Sequence, residues 1–196
     1  MCIRFAHPQL STFATENTVN SLIDTIYFNI HIPDNSDQFF LEHIILSTMN
    51  KKVNMLNETV LAKFPGPAQL FPNVNFISNS EHLGKEDPLL NYPMEYLNEI
   101  NCGSLSLVKL ELKIECPIMV LKNLDAANRV CNGSREILTR YNNMVLKVRL
   151  LTGDHAGQTV FIPRVANQPG ENENAFRFTR RQFPVRVFFS MMINKL

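Results

Sequence analysis

From Lys109 onward the apolar residues of this chain fall at every second position, and that period decides most of what the second half can become. Leu110, Leu112 and Ile114 alternate with Lys109, Glu111 and Lys113, and Met144, Leu146, Val148 and Leu150 repeat the pattern. A period of two lays one strand face on a core and the other in water. Shorter apolar runs lie between and beyond: Ile118-Met119-Val120-Leu121 after Pro117, Ile137-Leu138-Thr139, and Thr159-Val160-Phe161-Ile162. Asn132-Gly133 is a strong hairpin signal, Asn142-Asn143 marks a turn, and Gly153-Asp154-His155-Ala156-Gly157 marks another. About five short strands so closely spaced predict a small antiparallel β-barrel over 105–165, with Asn132-Gly133 at a hairpin or tight turn.

Upstream the period is helical. Residues 1–17 show no clear period. Val19, Leu22, Ile23, Ile26 and Tyr27 then form one helix face, preceded by Asn, Thr and Glu that can cap it. Pro33-Asp34-Asn35-Ser36-Asp37 reads as a loop, and His43 to Thr48 as a short buried strand. Asn50 is the expected N-cap of a helix whose apolar face is Val53, Leu56, Val60, Leu61 and Phe64, stopped by Pro65-Gly66-Pro67. Strand, tight turn and helix make an α/β unit. From Gln69 to Ser106 the pattern weakens, with only Tyr92 to Leu97 suggesting a short helix, so this stretch reads as an insertion or a functional connection. After a polar loop at 167–175, Phe183 to Phe189 reads as one buried strand. The fold class expected is α/β with an inserted small antiparallel β-barrel.

Composition sets limits on function. A chain that is 45% hydrophobic and 19% charged is globular in character, not disordered. No stretch reaches the roughly 20 apolar residues of a membrane span, and the N-terminus lacks the apolar core of a secretory signal. Cys2, Cys102, Cys116 and Cys131 are spaced for neither a CxxC motif nor a disulfide framework, so they read as reduced thiols of an intracellular protein. Asn57-Glu58-Thr59 and Asn132-Gly133-Ser134 then match glycosylation triplets by coincidence. The net charge of +1 conceals an asymmetry. Residues 1–128 carry 8 Lys/Arg against 14 Asp/Glu, and residues 129–196 carry 11 against 4, a balance of +7 in the later part. A basic segment suits an anionic partner such as a phosphate backbone, and an ordinary solvated surface is the competing reading.

Catalytic motifs are missing. The single Gly-Lys pair, Gly84-Lys85, is followed by Glu86 and has no glycine five positions earlier, so there is no G-x-x-x-x-G-K-[ST] loop to cradle phosphates. No His-Glu-x-x-His, no ligand-spaced Cys/His cluster and no Gly-x-Ser-x-Gly elbow occurs. The five histidines are scattered. What remains is a binding pattern: Phe176-Arg177-Phe178-Thr179-Arg180-Arg181-Gln182-Phe183 interleaves rings that could stack on bases with guanidinium groups that could neutralise phosphates. On pattern alone, the alternative places the rings in the core and the arginines in water.

Several runs in order point to a family: Tyr92-Pro93-Met94-Glu95-Tyr96-Leu97-Asn98, Lys109-Leu110-Glu111-Leu112-Lys113, Pro117 through Asp125, Cys131-Asn132-Gly133-Ser134-Arg135, Leu151-Thr152-Gly153, Ile162-Pro163-Arg164, Arg180 through Arg186, and Met192-Ile193-Asn194-Lys195. Together they resemble the PIF-type DNA helicases, above all the set carried by Helitron transposons, over about residues 20–196. The resemblance implies a partial RecA-like domain interrupted by a 2B-type barrel. Residues 1–19 would be an N-terminal tail and 20–66 the first part of the second RecA-like domain. Residues 67–91 would be a connection, 92–165 the 2B-like β-barrel and 166–196 a truncated return to the RecA-like sheet.

Thr48, Asn50, Val53 and Asn57 fall on the family's Thr-x-Asn-x-x-Val-x-x-x-Asn element. The nucleic-acid-binding residues this implies are Thr48, Asn50, Asn132, Gly133 and Lys195, joined by Arg177, Arg180 and Arg181 from the basic run. The expected partner is single-stranded DNA, with no membrane and no small-molecule substrate. The family uses ATP and magnesium, but no cofactor is expected in this chain, and a nuclear location follows if the protein is expressed. Three departures stand out: Glu115-Cys116 replaces a usual Gly-Ala, Met192 replaces a usual threonine, and Lys195 is followed by Leu196 where the family continues Ser-Gln-Gly-Gln. The readings that follow are a helicase fragment, a non-enzymatic nucleic-acid-binding module, and an inactive transposon-derived relic.

Overall fold

The computed structural model describes residues 4–6, 16–32, 36–77, 93–100, 107–125, 130–169 and 178–193. Its first unit is the expected α/β arrangement. Strand β2 (His43–Ser47) is buried along nearly its whole length, as an apolar run with covered faces requires. It pairs in parallel with β1 (Arg4–Ala6) on one side and β13 (Ser190–Met192) on the other. Residues 4–6, within the stretch whose sequence shows no clear period, thus form a pairing strand. Helix α1 (Glu16–Ile26) buries Ile23 and Ile26, and Tyr27 just beyond donates its hydroxyl to the carbonyls of His43 and Phe189. Helix α3 (Asn50–Lys63) buries Val53, Leu56, Val60 and Leu61.

Two local expectations for this unit change. Helix α3 begins at Asn50 itself, preceded by Met49 in an extended conformation without a side-chain cap, so Asn50 is the first helical residue and not the N-cap. Ser36 and Asp37, read as loop, open a short helix α2 (Asp37–Glu42): Ser36 Oγ accepts from Phe39 N at 3.3 Å. Pro33 to Asn35 lie outside the described residues.

The second half is mostly sheet. A two-stranded ladder pairs β3 (Gln69–Pro72) with β5 (Lys109–Leu112), and a three-stranded sheet places β11 (Phe178–Gln182) between β10 (Val165–Asn167) and β4 (Val74–Ile77). A short helix α4 (Met94–Glu99) stands at the expected place. The largest sheet has the order β12-β6-β7-β8-β9, built from β6 (Pro117–Val120), β7 (Arg135–Tyr141), β8 (Val145–Leu150), β9 (Thr159–Pro163) and β12 (Val185–Val187), all antiparallel. Among the described strands β9 and β12 remain edges, so the sheet is open and the expected closed barrel is not found.

The region read as one terminal strand divides. Phe183-Pro184 bends the chain, β12 joins the antiparallel sheet, and only β13 returns to β2. Among the described strands after residue 166, the one that pairs with β2 is β13, from Ser190. Lys113, expected on a wet face, is buried, and its ammonium donates to Phe64 O at 2.6 Å, satisfying a carbonyl at the end of α3. One contiguous core runs from Ile23 and Phe64 through Phe71 and Leu112 to Ile162 and Phe189. A smaller cluster of Ile44, Leu46, Met119, Phe188 and Met191 joins the other face of the parallel sheet to β6.

Candidate nucleic-acid interface

The crossing from β2 to α3 displays Thr48, Met49 and Asn50 to solvent at the carboxyl end of a parallel strand, where α/β sheets present ligand-binding loops. The first turn of α3 holds no acidic residue and includes exposed Lys51, so the positive end of the helix dipole is not offset. The rest of that element turns inward. Val53 is fully buried, and Asn57 ties α3 to the end of the chain: its Oδ1 accepts from Phe189 N at 3.0 Å and Ser190 N at 2.7 Å. One motif thus has two outward positions, Thr48 and Asn50, and two that hold the scaffold.

Asn132 and Gly133 form a tight turn, not a two-residue hairpin. Ser134 N donates to Cys131 O at 2.9 Å, and Gly133 has φ 89, as the third residue of a type II turn demands. Gly133 N bonds Val120 O and Asn132 N bonds Asn123 Oδ1, so the turn docks against the end of β6. Both residues are exposed.

The basic run separates residue by residue. Arg180 is fully buried, donating from Nε to Asn75 Oδ1 at 3.1 Å, from Nη1 to Ile100 O at 3.0 Å and from Nη2 to Leu97 O at 2.6 Å. It holds α4 against β4 and β11, and the expectation that it meets a phosphate is corrected. Phe178 and Phe183 are buried too, so neither ring is available to a base. Arg181, the next residue on β11, is exposed. It lies close enough to Arg164 that its charge, after burial, lowers the Arg164 pKa. Arg177 and Lys195 lie outside the described residues.

Two arginines not anticipated from the basic run share a face of the large sheet. The register Arg186↔Met119↔Arg135 sets them on either side of Met119, with the Arg135 guanidinium 4.8 Å from the centre of the Phe188 ring. Burial lowers the pKa of both. Arg186 Nε and Nη2 make no hydrogen bond among the described residues. The signal was present in the alternation of β7 and β12, but sequence alone could not show that the two strands flank a common neighbour.

Among the described residues no group of three or more His, Cys, Asp or Glu could hold a metal ion, and no helix is long and apolar enough to cross a membrane. Burial pushes the Cys116 thiol up to about 12, which keeps it in the unreactive form.

Residues 95–141, from α4 to the end of β7, match the family model described as DNA helicase Pif1, 2B domain. No curated protein matches the chain. Among solved structures, Pif1 helicase from Candida albicans superposes with a TM-score of 0.55 at 17% identity, over 92% of this chain and 41% of that one. Bacteroides Pif1 bound to single-stranded DNA gives 0.53 at 19% identity, over 92% and 36%. A structure of two coordinating Pif1 helicases unwinding forked double-stranded DNA gives 0.53 at 20%, over 92% and 34%. At these identities the likeness establishes the fold. The chain spans between a third and about two-fifths of the length of those proteins.

Proposed function

We propose that this chain, a Pif1-type helicase fragment by its 2B match and its fold, supplies contacts to single-stranded DNA. The observation that carries the reading is the placement of Thr48 and Asn50, exposed at the carboxyl end of β2 over a helix start without acidic residues. Arg181, Asn132 and Gly133 are exposed as well, the last two at a turn within the 2B match. These groups neutralise phosphates or bond to them without reading base edges, so binding is sequence-tolerant. Lys195 and Arg177 belong to the same reading through the family resemblance. The order of the motifs resembles that of the Helitron helicases, and the same reading puts the protein with DNA inside the cell, in the nucleus where there is one.

The sequence has no phosphate-cradling glycine-lysine loop. ATP-driven unwinding therefore enters this reading only as an activity of the family. Fluorescence anisotropy with a labelled oligothymidine at several salt concentrations tests the proposal. Affinity should fall steeply with salt, with a slope of about −0.7 per phosphate contact. A folded chain that binds no single strand at low salt would instead favour the relic.

A further inference from the structure

The large sheet has an outer face that the proposed contacts do not use. Its inner face is defined by Leu146, Val148 and Leu150 on β8, all buried, with Leu138 and Tyr141 opposite on β7 and Val160 and Ile162 on β9. A bulge between Leu138 and Arg140 keeps that face continuous. The opposite row is Arg140↔Lys147↔Phe161, three residues in direct cross-strand register and all exposed. Strands lie about 4.8 Å apart, so two cations and one ring stand within about 10 Å. Phe161 is 64% exposed, the highest value among the large apolar side chains of the described residues.

The rest of the outer face explains why this end is open. One row further on, Arg149 is clamped by Asp37 of α2 through bonds of 2.9 and 2.8 Å, with Glu115 at 3.4 Å. That pairing ties the Ile137 row to α2 and engages Asp37 and Glu115. Arg140 and Lys147 meet no carboxylate among the described residues. An isolated exposed ring is unremarkable on a protein surface. A ring in register with two unpaired cations is the combination that binds a single-stranded nucleic acid, whose bases stack and whose phosphates need neutralising.

We infer that Arg140, Lys147 and Phe161 form a further contact for single-stranded nucleic acid, with Phe161 stacking on a base and the two cations holding adjacent phosphates. The inference rests on the proposed DNA-binding role and extends it to the outer sheet face. The chain contains no tryptophan, so Phe161→Trp in the full chain installs a sole indole as reporter. Titration with oligothymidine should quench that indole in parallel with the rise in anisotropy. An indole installed by Phe28→Trp, at an exposed ring on the α/β unit, should stay unquenched. Phe161→Ala should weaken binding about tenfold, and Arg140→Gln with Lys147→Gln should flatten the salt slope by about 1.4. An anisotropy rise without quenching at Phe161→Trp overturns this inference and leaves the DNA-binding role standing. No rise with the folded wild-type chain removes both. Self-association without DNA, abolished by Phe161→Asp in sedimentation, would make this face a contact between copies and overturn the inference.

Discussion

Arg180 and Arg181 are neighbours with opposite roles. The guanidinium of Arg180 serves an amide oxygen and two backbone carbonyls in the interior, so Arg180→Ala takes a charged donor from the Leu97 and Ile100 carbonyls and from Asn75 Oδ1, which keeps its bond from Asn73. It should cost about 3 kcal/mol in urea unfolding. Arg181→Ala should leave stability within about 0.5 kcal/mol but flatten the DNA salt slope by about 0.7. Equal losses of stability for the two variants would contradict the burial of Arg180. Glu136 is a second residue whose setting matters. Burial lifts its carboxyl to about 7, against a smaller downward pull from the Ser134 hydroxyl bonded to it. The native state then binds more protons than the unfolded one between roughly pH 4.3 and pH 7, so stability falls as pH rises through that window. Glu136→Gln should remove the fall, which amounts to about 3 kcal/mol between pH 4 and pH 8 in denaturant titrations. A wild-type stability that is level across that range would show the carboxyl to be solvated.

At the level of elements, the joins between strands are where the chain shows strain and where it is fastened. Glu115 has φ 63, the one positive φ outside glycine among the described residues, in a turn closed by Cys116 N donating to Lys113 O. The resemblance expects glycine here, and the left-handed conformation explains why. Glu115→Gly should raise the unfolding free energy by up to about 1 kcal/mol, offset in part by loss of the 3.4 Å ion pair with Arg149. A marked destabilisation would mean that the ion pair outweighs the backbone strain. Asn57 is the fastening between α3 and β13. Asn57→Ala leaves the Phe189 and Ser190 amides without their acceptor and should cost about 3 kcal/mol. Hydrogen exchange should accelerate first at Ser190–Met192, because β13 is a short strand held at that end by this side chain. Uniform acceleration along the whole chain would argue against a local role.

On the scale of the whole molecule, one core couples the α/β unit to the sheets, and the chain crosses between them more than once. The antiparallel sheet takes β12 from the C-terminal region, and the parallel sheet takes β13 three residues later. The two parts should therefore unfold together, without separate transitions. Nucleotide chemistry is expected to be absent from the purified chain, since its sequence offers no phosphate-cradling loop. A phosphate-release assay should show no turnover with or without single-stranded DNA, and DNA-stimulated turnover in a preparation free of contaminating ATPase would overturn that expectation.

Local periodicity made much of this legible. The helical spacing of Val53, Leu56, Val60 and Leu61, the alternation through β8, and the turn residues Gly133 and Asn142 each carry their own structure, because neighbours along the chain decide which face is apolar. Asn142 closes its turn with its own side chain, accepting from Met144 N and Val145 N. The motif order also sufficed to bring out the Pif1 resemblance. Periodicity is silent on what stands opposite a face. Strands β3 and β4 are not legible in the sequence, because Pro72 and Asn73 interrupt a weak pattern and their partners, β5 and β11, lie far along the chain. The run Phe183–Phe189 is apolar throughout, and only the bend at Pro184 with two different partner strands divides it. Charge is the clearest case: Arg180, Arg181, Arg135 and Arg186 are the same residue type in similar alternating contexts. One is buried in the core, one is exposed, and two are half-buried about Met119, because only the packed neighbours supply carbonyls, solvent or a ring to receive each guanidinium.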